Sequence, residues 1–100
     1  MRMMLINNNN FKLRDVVTIK MLGGDEIIAR LANENVEHSI EVTKPLVVMM
    51  AQQGFGLLPF MLTGVQTETI TFMKQHVIAM VHTQDAVMKE YIKQTTGIIA

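Results

Sequence analysis

Lys74, Gln75 and His76 are the residues best placed to do chemistry, three consecutive polar side chains between two apolar segments. Such a turn offers an ammonium group to a phosphate and an amide to a base edge. It serves equally well as an ordinary polar hairpin tip. Asn33 and Asn35, around Glu34, form a second polar group with the same two readings, since asparagine favours turns on its own account. The three histidines raise the question of a metal. His38 falls within an alternating strand pattern. His76 and His82 share one strand face, but six residues of strand separate them by about 20 Å, too far for one ion. No metal site and no cofactor is expected.

Catalysis finds no constellation either. Asp25 and Glu26 lie in a turn, and the other carboxylates are scattered. A hydrolase needs a positioned acid, base or nucleophile with an orienting partner, so the chain does not read as an enzyme. Gly23 and Gly24 are too few for a phosphate-cradling loop and precede a strand, not a helix. With no cysteine, disulfides, thiolate metal sites and a thiol nucleophile are excluded. No small-molecule substrate is evident.

The bulk composition narrows the class further. The 100 residues carry nine basic and nine acidic side chains, a formal net charge of zero. A coat for duplex DNA would be more basic, because phosphate neutralisation dominates such affinity. Any nucleic acid must therefore meet locally gathered charge. No apolar run approaches the roughly 18 residues of a membrane span, and the first residues are too short a stretch for a secretory signal. A cytoplasmic protein is expected, without a membrane partner. The ten methionines read as flexible core filler or, alternatively, as an adaptable ligand surface.

The elements that position these residues are mostly strands. Residues 1–14 are expected to form a flexible tail, with four consecutive asparagines and no apolar period, and residues 15–100 one domain. Val17, Ile19 and Met21 share a strand face, and Ile27, Ala29 and Leu31 share the returning one. Gly23 and Gly24 permit the positive φ of the intervening turn. Val36, His38, Ile40 and Val42 alternate with Glu37, Ser39 and Glu41, as in a strand half exposed to water. Pro45 leaves two arrangements open beyond it, two strands or one bent strand at an edge.

Residues 46–51 and 77–81 are apolar on both faces and require a packed helix or a neighbouring subunit to cover them. Residues 52–64 read as a long excursion, where Phe55 and Phe60 would meet a base or a neighbouring subunit. Phe72, alternating with Thr71, reads as core. Thr83 would cap a helix over about 84–95, with Asp85 in its first turn and Gly97 ending it. Val87, Met88, Tyr91, Ile92 and Thr95 give that helix one apolar face. About five strands, ending near residue 82, thus precede a C-terminal helix.

This arrangement resembles the Sm and Sm-like family. Met21 through Leu31 resembles its first motif, with Gly24, Ile27, Ala29 and Leu31 at the glycine, apolar, small and apolar places. Phe72 through Ile78 resembles the second, with Lys74 where the family carries Arg or Lys. A closer likeness is to small Sm-like proteins of marine tailed phages, the cyanophage type. It rests on residues 22–31, on Thr43-Lys44-Pro45-Leu46-Val47-Val48 followed by Gly56-Leu57-Leu58-Pro59, and on residues 76–99 with Tyr91 and Gly97. The family usually opens with a helix, whereas this chain ends with one. Met73 and Gln75 replace the aromatic residue and the histidine that flank the turn lysine in the bacterial relative that binds uridine-rich RNA.

The resemblance implies a mainly β fold, a small, strongly bent five-stranded barrel that joins copies edge to edge into a closed homo-oligomeric ring. It makes Ile70, Phe72, Val77, Ile78, Met80 and Val81 the expected subunit interface. It makes Lys74, Gln75, His76, Asn33 and Asn35 the expected contacts to RNA or single-stranded nucleic acid. The implied role is nucleic-acid processing during phage infection, in the host cytoplasm. The alternative is a structural or adaptor ring that contacts phage or host proteins without nucleic acid, as the neutral charge would suit.

Overall fold

The computed structural model describes residues 11–33, 37–65 and 68–96. Six strands and a helix follow one another: β1 (Val16–Met21), β2 (Glu26–Asn33), β3 (Ser39–Ala51), β4 (Gly54–Pro59), β5 (Thr69–Met73), β6 (Val77–His82) and α1 (Asp85–Thr96). All pairings are antiparallel. The order across the sheet is β4-β3-β2-β1-β6, and β5 also pairs with β3. The fold is therefore mainly β with one C-terminal helix.

The hairpin of β1 and β2 closes through a turn in which the Gly24 N–H donates to the Met21 carbonyl at 2.9 Å. Gly24 has φ +105, a backbone conformation that glycine adopts without steric penalty.

β3 is the organising strand. Its second edge is shared, with residues from Ser39 to Thr43 paired to β5 and residues from Leu46 to Ala51 paired to β4. Pro45 does not end the strand but bends it. Ile28 pairs with Leu46 while Arg30 pairs with Thr43, so β3 carries one extra residue there. Lys44 takes φ +51 at this bulge. A bulge reverses the alternation of side chains. Val42 consequently faces one core and Leu46 the other, although they are four residues apart.

Two further register shifts, at Leu31/Asn33 and at Lys20/Met21, add to the bending. The sheet curls until only the 3-10 turn Lys74–His76 separates β5 from β6, a gap of at most about 14 Å by chain reach. No β5–β6 ladder closes it among the described residues.

The inner face gathers Val17, Ile19, Ile27, Ala29, Leu31, Ile40, Val42, Phe72, Val77 and Met80 into one buried cluster. Burying an isoleucine such as Ile19 or Ile27 contributes about 1.5–3 kcal/mol. The outer face carries Val16, Ile28, Leu46 and Leu57 against Tyr91, with Val87, Met88 and Ile92 of the same helix packed alongside. The helix thus covers the outer side of β3 at Leu46 and Val48. It does not cover β6, where Ile78 and Val81 stay exposed.

Local expectations are corrected at three places. Residues 52–64 are not one irregular excursion, since β3 and β4 form a hairpin over residues 52–53. Gly54 and Gly56 lower the apparent strand propensity of that segment. β3 begins at Ser39, so His38 is exposed and lies before the strand, while Ser39 is buried. The Thr83 hydroxyl does not cap α1; it lies 2.9 Å from the Thr18 hydroxyl, and the Gln84 carbonyl accepts the first helical hydrogen bond, from Met88. Gly97 and residues 1–10 lie outside the described residues. Among the described residues no helix is long and apolar enough to cross a membrane.

Candidate functional site

Pairing of β5 with β3 delivers the polar turn to its place. Ser39 pairs with Met73, and the next residue, Lys74, donates its backbone N–H to the His38 carbonyl at 2.8 Å. The far side of the turn is held as well, since the Leu22 N–H donates to the His76 carbonyl at 2.7 Å. The Lys74–His76 turn is therefore anchored at entry by the segment preceding β3 and at exit by the β1–β2 turn. A short 3-10 turn needs such partners, having few hydrogen bonds of its own.

Its side chains differ in exposure. Gln75 and His76 are exposed and Lys74 is half-buried. No carboxylate of the described residues lies within ion-pair distance of Lys74. Asn33, the last residue of β2, pairs with Glu41, two residues into β3 from Ser39. Asn33 and Lys74 thus sit at the same end of the sheet. Asn35 lies outside the described residues. His38 joins this end too, which its place in an apparently alternating run concealed. The alternation runs unbroken from Val36 to Val42 in the sequence, so nothing local marked Ser39 as the start of the strand. His38 and Glu37 are 3.7 Å apart and exposed, so the local field mixes both signs.

The six expected interface residues divide into two groups. Phe72, Val77 and Met80 turn their side chains into the inner core, and Phe72 meets Phe60 edge-to-face at 5.4 Å. Ile70 is half-buried against the same core. Ile78 and Val81 are exposed, at 42% and 57%.

A second group of polar residues lies at the other end of β6. The His82 Nε2 is 3.3 Å from the Asp15 carboxylate, and the His82 ring stacks on Phe11 at 4.6 Å. The same carboxylate oxygen accepts the Lys12 N–H at 2.9 Å. These contacts fasten the chain entering β1 onto β6. His76 and His82 stand at opposite ends of that strand. Among the described residues no group of three or more histidines or carboxylates could hold a metal ion.

No protein-family model matches the sequence, and no curated protein matches it.

Proposed function

We propose that this chain is a non-catalytic Sm-like protein of the marine tailed-phage type, a homo-oligomeric ring that binds RNA or single-stranded nucleic acid. The observation that carries the reading is the 2.8 Å hydrogen bond from Lys74 to His38. It holds the basic turn that resembles the second motif at the start of β3, the same end of the sheet at which β2 finishes with Asn33. A ring would repeat that end around an axis and concentrate the Lys74 charges there, with Gln75 and His76 available to bases.

The topology supports the rest of the reading. β4 and β5 both pair along the second edge of β3, so they act as two halves of one interrupted strand. Counted that way, the sheet would match the five strands that an Sm-like barrel requires. β5 and β6 each pair with one strand of the described residues, which leaves one edge of each for a neighbouring copy. Such pairing would relieve both edges at once.

The test is binding of short labelled RNA and single-stranded DNA at two salt concentrations, with particle mass measured in parallel. Binding that weakens with salt, and weakens across all sequences in Lys74→Ala, supports the proposal. An assembled ring with no affinity at low salt overturns it. The uncharged, apolar edge at β4 favours one other reading, a structural or adaptor ring for phage or host proteins. Recovery of a protein partner without nucleic acid from infected cells would favour that reading.

A further inference from the structure

From Pro45 to Thr67 the sequence contains no charged residue and no histidine. The structure places residues 45–65 of this stretch at one margin of the sheet, as the end of β3, the edge strand β4 and the residues that follow it. Met49, Met50, Phe55, Leu58, Met61, Leu62 and Val65 are all substantially exposed there, Met50 at 79% and Leu62 at 77%. Edge strands of soluble proteins are ordinarily protected by charge, and clustered exposed apolar residues mark an interaction surface. β4 has charge neither on its own residues nor on those of β3 that it pairs with, from Leu46 to Ala51.

The direction of the β4 backbone groups can be read off its register. Pairing with β3 runs without a shift from Ala51–Gly54 to Leu46–Pro59. The Phe60 N–H then donates to the Pro45 carbonyl at 3.0 Å. Even-numbered residues of this strand therefore address β3, and the odd-numbered Phe55, Leu57 and Pro59 turn their backbone groups outward. Proline sits where its missing N–H leaves β3 undisturbed. Beyond it no outward donor remains, so the available edge is Phe55 and Leu57.

We infer that β4 is a self-association surface, where a second copy of this chain adds its own β4 antiparallel across a two-fold axis at Gly56. In that register Phe55 of one copy exchanges backbone hydrogen bonds with Leu57 of the other, and the reverse. Gly56 then faces Gly56, the pair of closest approach, with Cα atoms about 4.5 Å apart. Leu58 lies opposite Gly54, so a large side chain meets a small one on that face. An antiparallel edge is its own complement under a two-fold. The absence of charge removes the like-charge repulsion that self-pairing would otherwise create. This surface is separate from the β5 and β6 edges, so it pairs single chains or joins whole rings.

Gly56 supplies the test. A Cβ there meets nothing within 4 Å in the chain itself, so Gly56→Lys is compatible with the fold but sets two ammonium groups together on the axis. Light scattering at tens of micromolar is expected to give this variant half the particle mass of the wild type, with an unchanged circular dichroism spectrum. The chain has no cysteine, so Gly56→Cys is expected to oxidise to a covalent dimer on a non-reducing gel. Gly23→Cys, at the exposed β1–β2 turn, is the control and is expected to remain monomeric on that gel. Equal masses for Gly56→Lys and wild type, with no more cross-linking at Gly56→Cys than at Gly23→Cys, overturn the inference. If those equal masses come with flotation on phosphatidylcholine vesicles, the surface is a lipid contact; with a bound foreign protein, it is a docking edge for that protein.

Discussion

The Tyr91 hydroxyl donates to the Lys44 carbonyl at 2.8 Å, which fastens helix α1 to the point where β3 interrupts its own ladder. The same hydroxyl oxygen lies 3.2 Å from the Thr43 carbonyl oxygen. Both acceptors lie at the bulge, where the β2–β3 ladder is interrupted. Tyr91 has no exposed surface, so its hydroxyl depends on these partners inside the fold. Tyr91→Phe should retain the packing and lose this satisfaction, lowering stability by about 1–2 kcal/mol. For a chain of this size the thermal midpoint should fall by about 4–8 °C per kcal/mol. A midpoint within 1 °C of wild type (about the error of the measurement) would show that the hydroxyl contributes nothing.

Tyr91 also makes a pH-dependent contribution. Burial pushes its pKa from 10.0 up to about 12, against an opposing contribution from the Arg30 charge. Below pH 10 the phenol is protonated in both folded and unfolded chains, and its stabilising effect is complete. As pH rises from 10 towards 12 the unfolded chain releases the proton while the folded one retains it, so stability falls. Urea unfolding between pH 9 and about 12 should show a loss in the wild type that is absent in Tyr91→Phe. Parallel pH profiles for the two proteins would contradict the assignment.

Sequence periodicity revealed the parts of this fold whose side chains alternate without interruption. The faces of β1 and β2 and the apolar stripe of α1 follow directly from residue types. The bulge at Lys44 was not legible, because a lysine before a proline does not announce a positive φ. Without it the opposite orientations of Val42 and Leu46 could not be assigned. β4 was hidden by its own glycines. At the candidate site, Lys74, Gln75 and His76 were identifiable as a polar turn between apolar strands. That His38 adjoins them was not, since the contact depends on the long-range pairing of Ser39 with Met73.

Lys44 itself offers a test of the bulge. At φ +51 a side chain with a Cβ is destabilised by about 1–2 kcal/mol relative to glycine. Replacing Lys44 by either alanine or glycine removes its Nζ hydrogen bond to the Thr95 carbonyl, 3.2 Å, so that loss cancels between the two variants. Lys44→Gly should then be the more stable of the pair by about 1 kcal/mol in urea titrations. That is the reverse of the usual order within a strand. If alanine proves equal or better, the residue does not hold the left-handed conformation.

The last prediction separates assembly from folding on β6. Met80 is 3% exposed and part of the inner core, whereas Val81, its neighbour, is 57% exposed and lies opposite Thr18. Met80→Ala should lose about 2–5 kcal/mol, as for other buried methionines. Val81→Lys removes little buried surface, so its unfolding free energy, extrapolated to the dissociated chain, should stay within about 0.5 kcal/mol. If the β6 edge pairs with β5 of a neighbouring copy, a lysine there sets one charge against each subunit boundary, and the ring should dissociate. Light scattering at about 10 μM, a concentration at which a stable interface stays formed, would then give a smaller particle for Val81→Lys. An unchanged mass with unchanged stability would remove β6 from the interface and direct attention to the other edges of the sheet.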